Sequence, residues 1–148
     1  MALLQFSHVA LSCRDPLATE EWYSKHFGFA RARVIPLGDD QIVFIKAGTV
    51  YLELFSTKDE SPVPAAGGDG PHYPGVRHLA FQVDDVDSKI AAMGADAKIT
   101  LGPLSFDDFI PGWKTVWVAD PDGTIVEISQ GFVDQDNPPP RPVPQSRS

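Results

Sequence analysis

The chain is short of cysteine, of basic residues and of long apolar runs, and each shortage excludes something. Cys13 is the lone cysteine of 148 residues, so no intramolecular disulfide framework exists and a reducing, cytoplasmic setting is expected. Lysine and arginine number 12 against 20 aspartates and glutamates, a formal net charge of -8. So acidic a chain offers no basic footprint for nucleic acid or an anionic membrane, and neither is an expected partner. The opening Met-Ala-Leu-Leu-Gln-Phe-Ser-His has no basic start and leads into no long apolar run. Neither a signal peptide nor a membrane span is therefore expected. What remains is 43% hydrophobic content, enough for one real core in one domain or in two small modules sharing a sheet.

Turn and cap chemistry divides the chain. Phe6 to Cys13 alternates as a strand, and Asp15-Pro16 then offers an N-cap acceptor with proline at the first helical position. The helical pattern carries Trp22 and Tyr23 on its buried side and ends at Gly28. Phe29 to Ile35, Gln41 to Lys46 and Thr49 to Ser56 read as three strands, the last two joined at Ala47-Gly48. Residues 1–57 thus form a first strand-helix-three-strand module. Residues 58–75, rich in Pro and Gly, read as a linker. A second module, 76–131, holds a strand to Val83, a helix over Val86 to Met93 behind Asp84-Asp85, and a short strand over Ala97 to Leu101. A loop over Gly102 to Gly112 follows, then a hairpin of Trp113 to Ala119 and Thr124 to Gln130 around Asp120-Pro121-Asp122-Gly123. The Pro-rich tail, 132–148, is expected to be disordered or to lie along a neighbour.

The two modules match. His8-Val9-Ala10-Leu11 before the first helix parallels His78-Leu79-Ala80-Phe81 before the second, and Leu52-Glu53-Leu54 parallels Val126-Glu127-Ile128. Side chains alternate across a strand, so His8, Ala10 and Ser12 share the face away from the helix, as do His78, Ala80 and Gln82. Tyr51, Glu53 and Phe55 share a face, and so do Ile125, Glu127 and Ser129. Glu127 among apolar neighbours costs several kcal/mol, roughly, if buried alone, so it either faces water or meets a partner. Two imidazoles and two carboxylates, His8, Glu53, His78 and Glu127, suit one divalent metal: zinc, nickel, cobalt, manganese or magnesium, with iron less favoured. The alternative is a pair of hydrogen-bonded sheet histidines with solvated glutamates. Ser12, Tyr51, Phe55, Gln82 and Ser129 either line the pocket or fill ordinary sheet positions. His26 is expected to serve the helix dipole, His72 has no metal-ligand partner by spacing, and Asp107-Asp108 reads as a solvated pair.

With these residues in view, the sequence resembles the vicinal oxygen chelate superfamily over about residues 5 to 131. The features that carry the resemblance are strand-initial His8 and His78, Trp22-Tyr23 ahead of Phe27-Gly28-Phe29, Glu53 in Leu-Glu-Leu, and the Asp-Pro-Asp-Gly turn before Glu127. That superfamily includes glyoxalase I, methylmalonyl-CoA epimerase, extradiol dioxygenases and the fosfomycin- and bleomycin-resistance proteins. The resemblance implies an α+β fold of two tandem βαβββ modules, a curved mixed sheet around a metal-binding cavity, and a homodimer acting on a small-molecule substrate. A carboxylate at Glu53 is similar to glyoxalase I rather than to the dioxygenases, which use two His and one carboxylate. The arginine and asparagine that glyoxalase I uses for glutathione correspond to Ser12 and Thr57, which leaves glutathione open. The implied activity is a glyoxalase-type lyase, isomerase or epimerase. Glu127 or Glu53 abstracts a proton next to an oxygen held by the metal, and the other returns it or stays bound. Two alternatives stay open: a non-catalytic drug-binding protein, and an Fe(II) extradiol-type dioxygenase needing only His8, His78 and Glu127.

Overall fold

The computed structural model describes residues 2–146. Met1 of the expected first module, and Arg147 and Ser148 of the expected tail, lie outside them. The first half runs β1 (Val9–Cys13), α1 (Pro16–Phe27), β2 (Ala30–Leu37), β3 (Asp40–Ala47) and β4 (Val50–Ser56). The second runs β5 (Leu79–Gln82), α2 (Val86–Met93), a 3-10 turn (Gly94–Asp96), β6 (Lys98–Ser105), β7 (Lys114–Ala119) and β8 (Ile125–Gln130). Each half folds its strands into a four-stranded mixed sheet, in the orders β1-β4-β3-β2 and β5-β8-β7-β6. In both, the first strand lies parallel to the last, and the helix between makes the crossover that parallel pairing requires. The result is the α+β fold of paired βαβββ modules.

Local chemistry sets the helix ends. The Asp15 carboxylate accepts the N–H groups of Leu17 and Ala18 at 3.1 and 3.4 Å, Pro16 opens α1, and Gly28 closes it at φ 71°. Asp85 caps α2 by accepting from Ser88 N–H at 2.6 Å. β1 and β5 are shorter than the alternation suggests, because pairing with β4 begins only at Val9 and pairing with β8 only at Leu79. The largest departure is β6, which continues through Gly102-Pro103 to Ser105 instead of giving way to a loop. Two register shifts let Leu104 and Ser105 resume pairing with Thr115 and Lys114. Beyond Gln130 the described residues carry no helix or strand. Yet Phe132, at the start of the expected tail, stands 6.0 Å from the Trp113 ring.

The helix-covered faces of both sheets meet in one core. Leu52, Leu54, Val43 and Ile45 of the first half cluster with Val116, Val118, Val126 and Ile128 of the second, with Tyr23, Val86 and Met93 between them. Phe27 stacks on Phe81 across the halves at 4.4 Å. Polar joints lock the packing. Asp120 accepts from the Tyr23 hydroxyl at 2.8 Å, and Asp122 from Arg14 N–H and the Thr19 hydroxyl at 2.9 and 2.8 Å. The Asp-Pro-Asp-Gly turn is therefore the plug that seats the second half against α1. On the opposite side His26 is buried and bonds Asp96 at 2.8 Å, so its partner is a carboxylate of the other half rather than the helix end alone. Among the described residues no helix is long and apolar enough to cross a membrane.

Candidate functional site

Because the helix side of each sheet is used in the core, the helix-free faces are left for ligands. On the first, parallel register sets Ala10 opposite Glu53, with His8 just before β1. His8 Nε2 lies 3.2 Å from Glu53 Oε1, and its Nδ1 lies 2.7 Å from the Ser7 hydroxyl. On the second, Ala80 stands opposite Glu127, with His78 just before β5. His78 Nε2 lies 3.7 Å from Glu127 Oε2, and its Nδ1 donates to the Asp69 carbonyl at 2.6 Å. The small alanine between the two partners on each face lets imidazole and carboxylate approach. Burial pushes the Glu127 carboxyl above its usual range; His78 pulls it down and Asp69 adds to the rise.

The structure thus brings His8 to Glu53 and His78 to Glu127, as two matching pairs. Among the described residues of one chain, no three His, Cys, Asp or Glu side chains gather closely enough to hold an ion. Taken singly, the His8–Glu53 pair has the spacing of two ligands on one ion, and the His78–Glu127 pair is wider. With metal–ligand bonds of about 2.1 Å, neighbouring donors stand about 3.0 Å apart on an octahedron and about 3.4 Å on a tetrahedron. The 3.2 Å of His8 and Glu53 falls between those values, and the 3.7 Å of His78 and Glu127 lies beyond the larger one. Imidazole nitrogen with carboxylate oxygen is also a donor set that borderline divalent ions accept.

The remaining expected residues divide between the two faces. Gln82 and Ser129 line a cavity of about 360 Å³ with Glu127, Ala80 and Trp113. Ser129 is buried there, accepting from Trp113 Nε1 at 3.1 Å and bonding the Thr115 hydroxyl at 3.0 Å. Ser12 is exposed and stands opposite half-buried Phe55 in the register. Tyr51 lies under the Lys46 ammonium, 5.0 Å from its ring centre. Hairpin register, which residue spacing alone leaves open, settles Trp117: it pairs with Glu127 and so shares the helix-free face. It is only 6% exposed, and its indole N–H has no acceptor among the described residues. Three further features escape sequence reading. Phe132 joins Trp113 in walling the cavity. Asp107, exposed as expected, also accepts from Gly112 N–H and the Ser105 hydroxyl and so ties the β6–β7 loop. His72 pairs with Asp69 at 3.0 Å.

Comparison with known proteins places this geometry. Residues 5–128 match the model of the Glyoxalase/Bleomycin resistance protein/Dioxygenase superfamily. The chain is 27% identical over 135 residues to the uncharacterised protein YaeR of Escherichia coli (strain K12), across 86% of this chain and 97% of that one. It is similar to the solved glyoxalase family protein from Enterococcus faecalis at 31% identity and TM-score 0.63, over 84% of this chain and 96% of that one. It is also similar to lactoylglutathione lyase from Agrobacterium tumefaciens, at 26% identity and TM-score 0.55, over 86% of this chain and 93% of that one.

Proposed function

The chain belongs to the Glyoxalase/Bleomycin resistance protein/Dioxygenase superfamily, and on that premise we propose that it is a metal-dependent lyase, isomerase or epimerase of the glyoxalase type. Its substrate is a small oxygenated metabolite with an acidic C–H beside a carbonyl. The observation that carries this reading is the pair of repeat-related imidazole–carboxylate couples, His8 with Glu53 at 3.2 Å and His78 with Glu127 at 3.7 Å. His8, Glu53, His78 and Glu127 would together hold one divalent ion, which supplies Lewis acidity when bound. One chain presents the couples separately, with both helix-covered faces already committed to its core. A second copy supplies the missing couple, so the working unit is a homodimer whose sites draw on both protomers.

The chain's own groups then act as follows. Glu127 Oε2, held only loosely at 3.7 Å from His78, takes the proton from the substrate C–H. Burial raises its proton affinity, which suits a base that must later surrender the same proton. Glu127 then returns that proton to the adjacent carbon while Glu53, from the equivalent strand, stays bound; in an epimerisation Glu53, protonated beforehand, delivers its own proton to the opposite face, and both carboxyls reset by exchange with solvent. Trp117, across the strand pair from Glu127, backs the carboxylate from within the sheet, and its buried indole N–H has no acceptor among the described residues. Trp113 and Phe132 wall the second half-site beside Glu127 and give the substrate an apolar surface to lie against.

Elemental analysis of protein purified without chelator, joined to sedimentation, tests the proposal. The expected result is a dimer with one zinc, nickel, cobalt, manganese or magnesium ion per site, lost in His8→Ala and in His78→Ala alike. Iron with oxygen consumption would replace this reading with a dioxygenase. A metal-free dimer that binds an aromatic drug tightly would replace it with a binding protein.

A further inference from the structure

We propose that the segment Asp69–Arg77 is a clamp that fixes the tautomer of His78, with Asp69, Gly70 and Arg77 as positioning residues for that ligand. An acceptor that cannot donate sets the tautomer. His78 Nδ1 lies 2.6 Å from the main-chain carbonyl of Asp69, and a carbonyl oxygen only accepts. The proton of neutral His78 must therefore sit on Nδ1, leaving the Nε2 lone pair free on the Glu127 side. His8 is drawn the other way: the Glu53 carboxylate, 3.2 Å from its Nε2, favours the proton there, and the Ser7 hydroxyl, 2.7 Å from Nδ1, is free to donate to it. Of the two histidines, only His78 is held in the ligand-ready form before anything binds.

The carbonyl is itself held in place. The Asp69 carboxylate bonds Arg77 at 3.2 Å and His72 at 3.0 Å, pinning both ends of the segment beside His78. These ties hold that carboxyl below its usual range, the His72 hydrogen bond being the largest cause. Gly70 is buried at φ 120°, where other residues are strained. A Cβ built there would overlap the Arg77 carbonyl oxygen and stand 2.8 and 2.9 Å from Arg77 C and Cγ. Only glycine lets the chain cross Arg77 closely enough to deliver the Asp69 carbonyl to its neighbour. Thr100 anchors the near end by donating to the Gly68 carbonyl at 2.7 Å. A stretch whose composition reads as a plain linker thus serves the ligand from behind, as partners of metal-binding histidines do.

The inference uses the metal reading for its purpose but not for its test. Long-range proton–nitrogen correlation on metal-free protein at about pH 8, above the imidazole range, reports each histidine tautomer directly. Wild-type His78 is expected to be the Nδ1–H form and His8 mainly the Nε2–H form, which faces Glu53. Gly70→Ala should move His78 toward a mixture while leaving His8 unchanged, and should weaken Zn²⁺ binding by about 10–100-fold, the range for outer-shell partners. If Gly70→Ala fails to fold, Asp69→Ala keeps the carbonyl, removes both ties and should shift His78 the same way by less. A wild-type His78 that is mainly Nε2–H, or folded variants with an unmoved tautomer, would overturn the clamp. A tautomer that follows the clamp in protein that takes up no Zn²⁺ would uphold it and overturn only the metal reading.

Discussion

Removing one hydroxyl at the joint between the halves should destabilise the fold by an amount that grows with pH. Asp120 is 3% exposed. Its Oδ1 accepts the N–H groups of Asp122 and Thr124 at 2.9 and 3.0 Å, and its Oδ2 accepts the Tyr23 hydroxyl at 2.8 Å. Burial pushes its carboxyl above the usual range, and the Tyr23 hydrogen bond is the largest influence pulling it back. Because the folded value is raised, Asp120's share of stability is fully present below its unfolded value and is lost as pH rises through the folded one. Tyr23→Phe keeps the ring among Phe29 and Phe81 but takes away the donor. The folded value of Asp120 then climbs further, and the ionised carboxylate loses a hydrogen bond of about 1.5–3 kcal/mol. The neutral carboxyl, able to donate on its own account, loses less. Urea unfolding followed by tryptophan fluorescence should therefore show Tyr23→Phe about 2 kcal/mol less stable at pH 8, with the gap narrowing steadily toward pH 4. A gap that stays constant across that range, or widens in acid, would refute the assignment of a strained carboxylate to this joint. Thr19→Val, which strips one donor from the more accessible Asp122, serves as the control and should show a smaller gap at every pH.

The joint on the other side should respond with the opposite sign. Asp96 is held below the usual carboxylate range by the His26 hydrogen bond and then by Lys25, so its contribution is present above the ordinary aspartate value and disappears as pH falls through the depressed one. Asp96→Asn should lower the urea midpoint at pH 7 and match wild type near pH 2, and a deficit that persists in acid would remove the ion pair as its cause. For the metal, Zn²⁺ at about one hundred times its dissociation constant adds about 2.7 kcal/mol, or about 5–10 °C in melting temperature for a chain of this size. His8→Ala and His78→Ala should each abolish that shift if both couples serve one ion, and scanning calorimetry showing half of it surviving in either variant would assign each couple an ion of its own.

How much of this was legible depended on whether the cause was local. α2 runs from Val86 to Met93 as its pattern indicates, because Asp85 and Gly94 act within one turn of the helix they bound. The pairing of His8 with Glu53 and His78 with Glu127 was half legible: alternation and the repeat choose the face, while the parallel register that brings Nε2 to the carboxylate is a property of the folded sheet. β6 was misjudged because Gly102-Pro103 carries the chemistry of a stop, and only the bulges that absorb it show the strand going on. His26 looked like a helix-end histidine because Asp96, seventy positions on, leaves no trace near it in the sequence.

The Asp69 carbonyl is the extreme case, since a main-chain oxygen has no letter of its own. It also explains why two equivalent ligands need not behave equivalently. Duplication copies whatever lies inside a module, and so it copies histidine, alanine and glutamate into both sheets. A chain of two modules has only one connection between them, and that connection ends beside the first strand of the second module. His78 follows it directly, whereas the residues just before His8, 2–7, are exposed. A carbonyl delivered by the connector can therefore reach one histidine and not the other. The asymmetry between the two half-sites follows from that arithmetic of connections rather than from any difference in the ligands themselves.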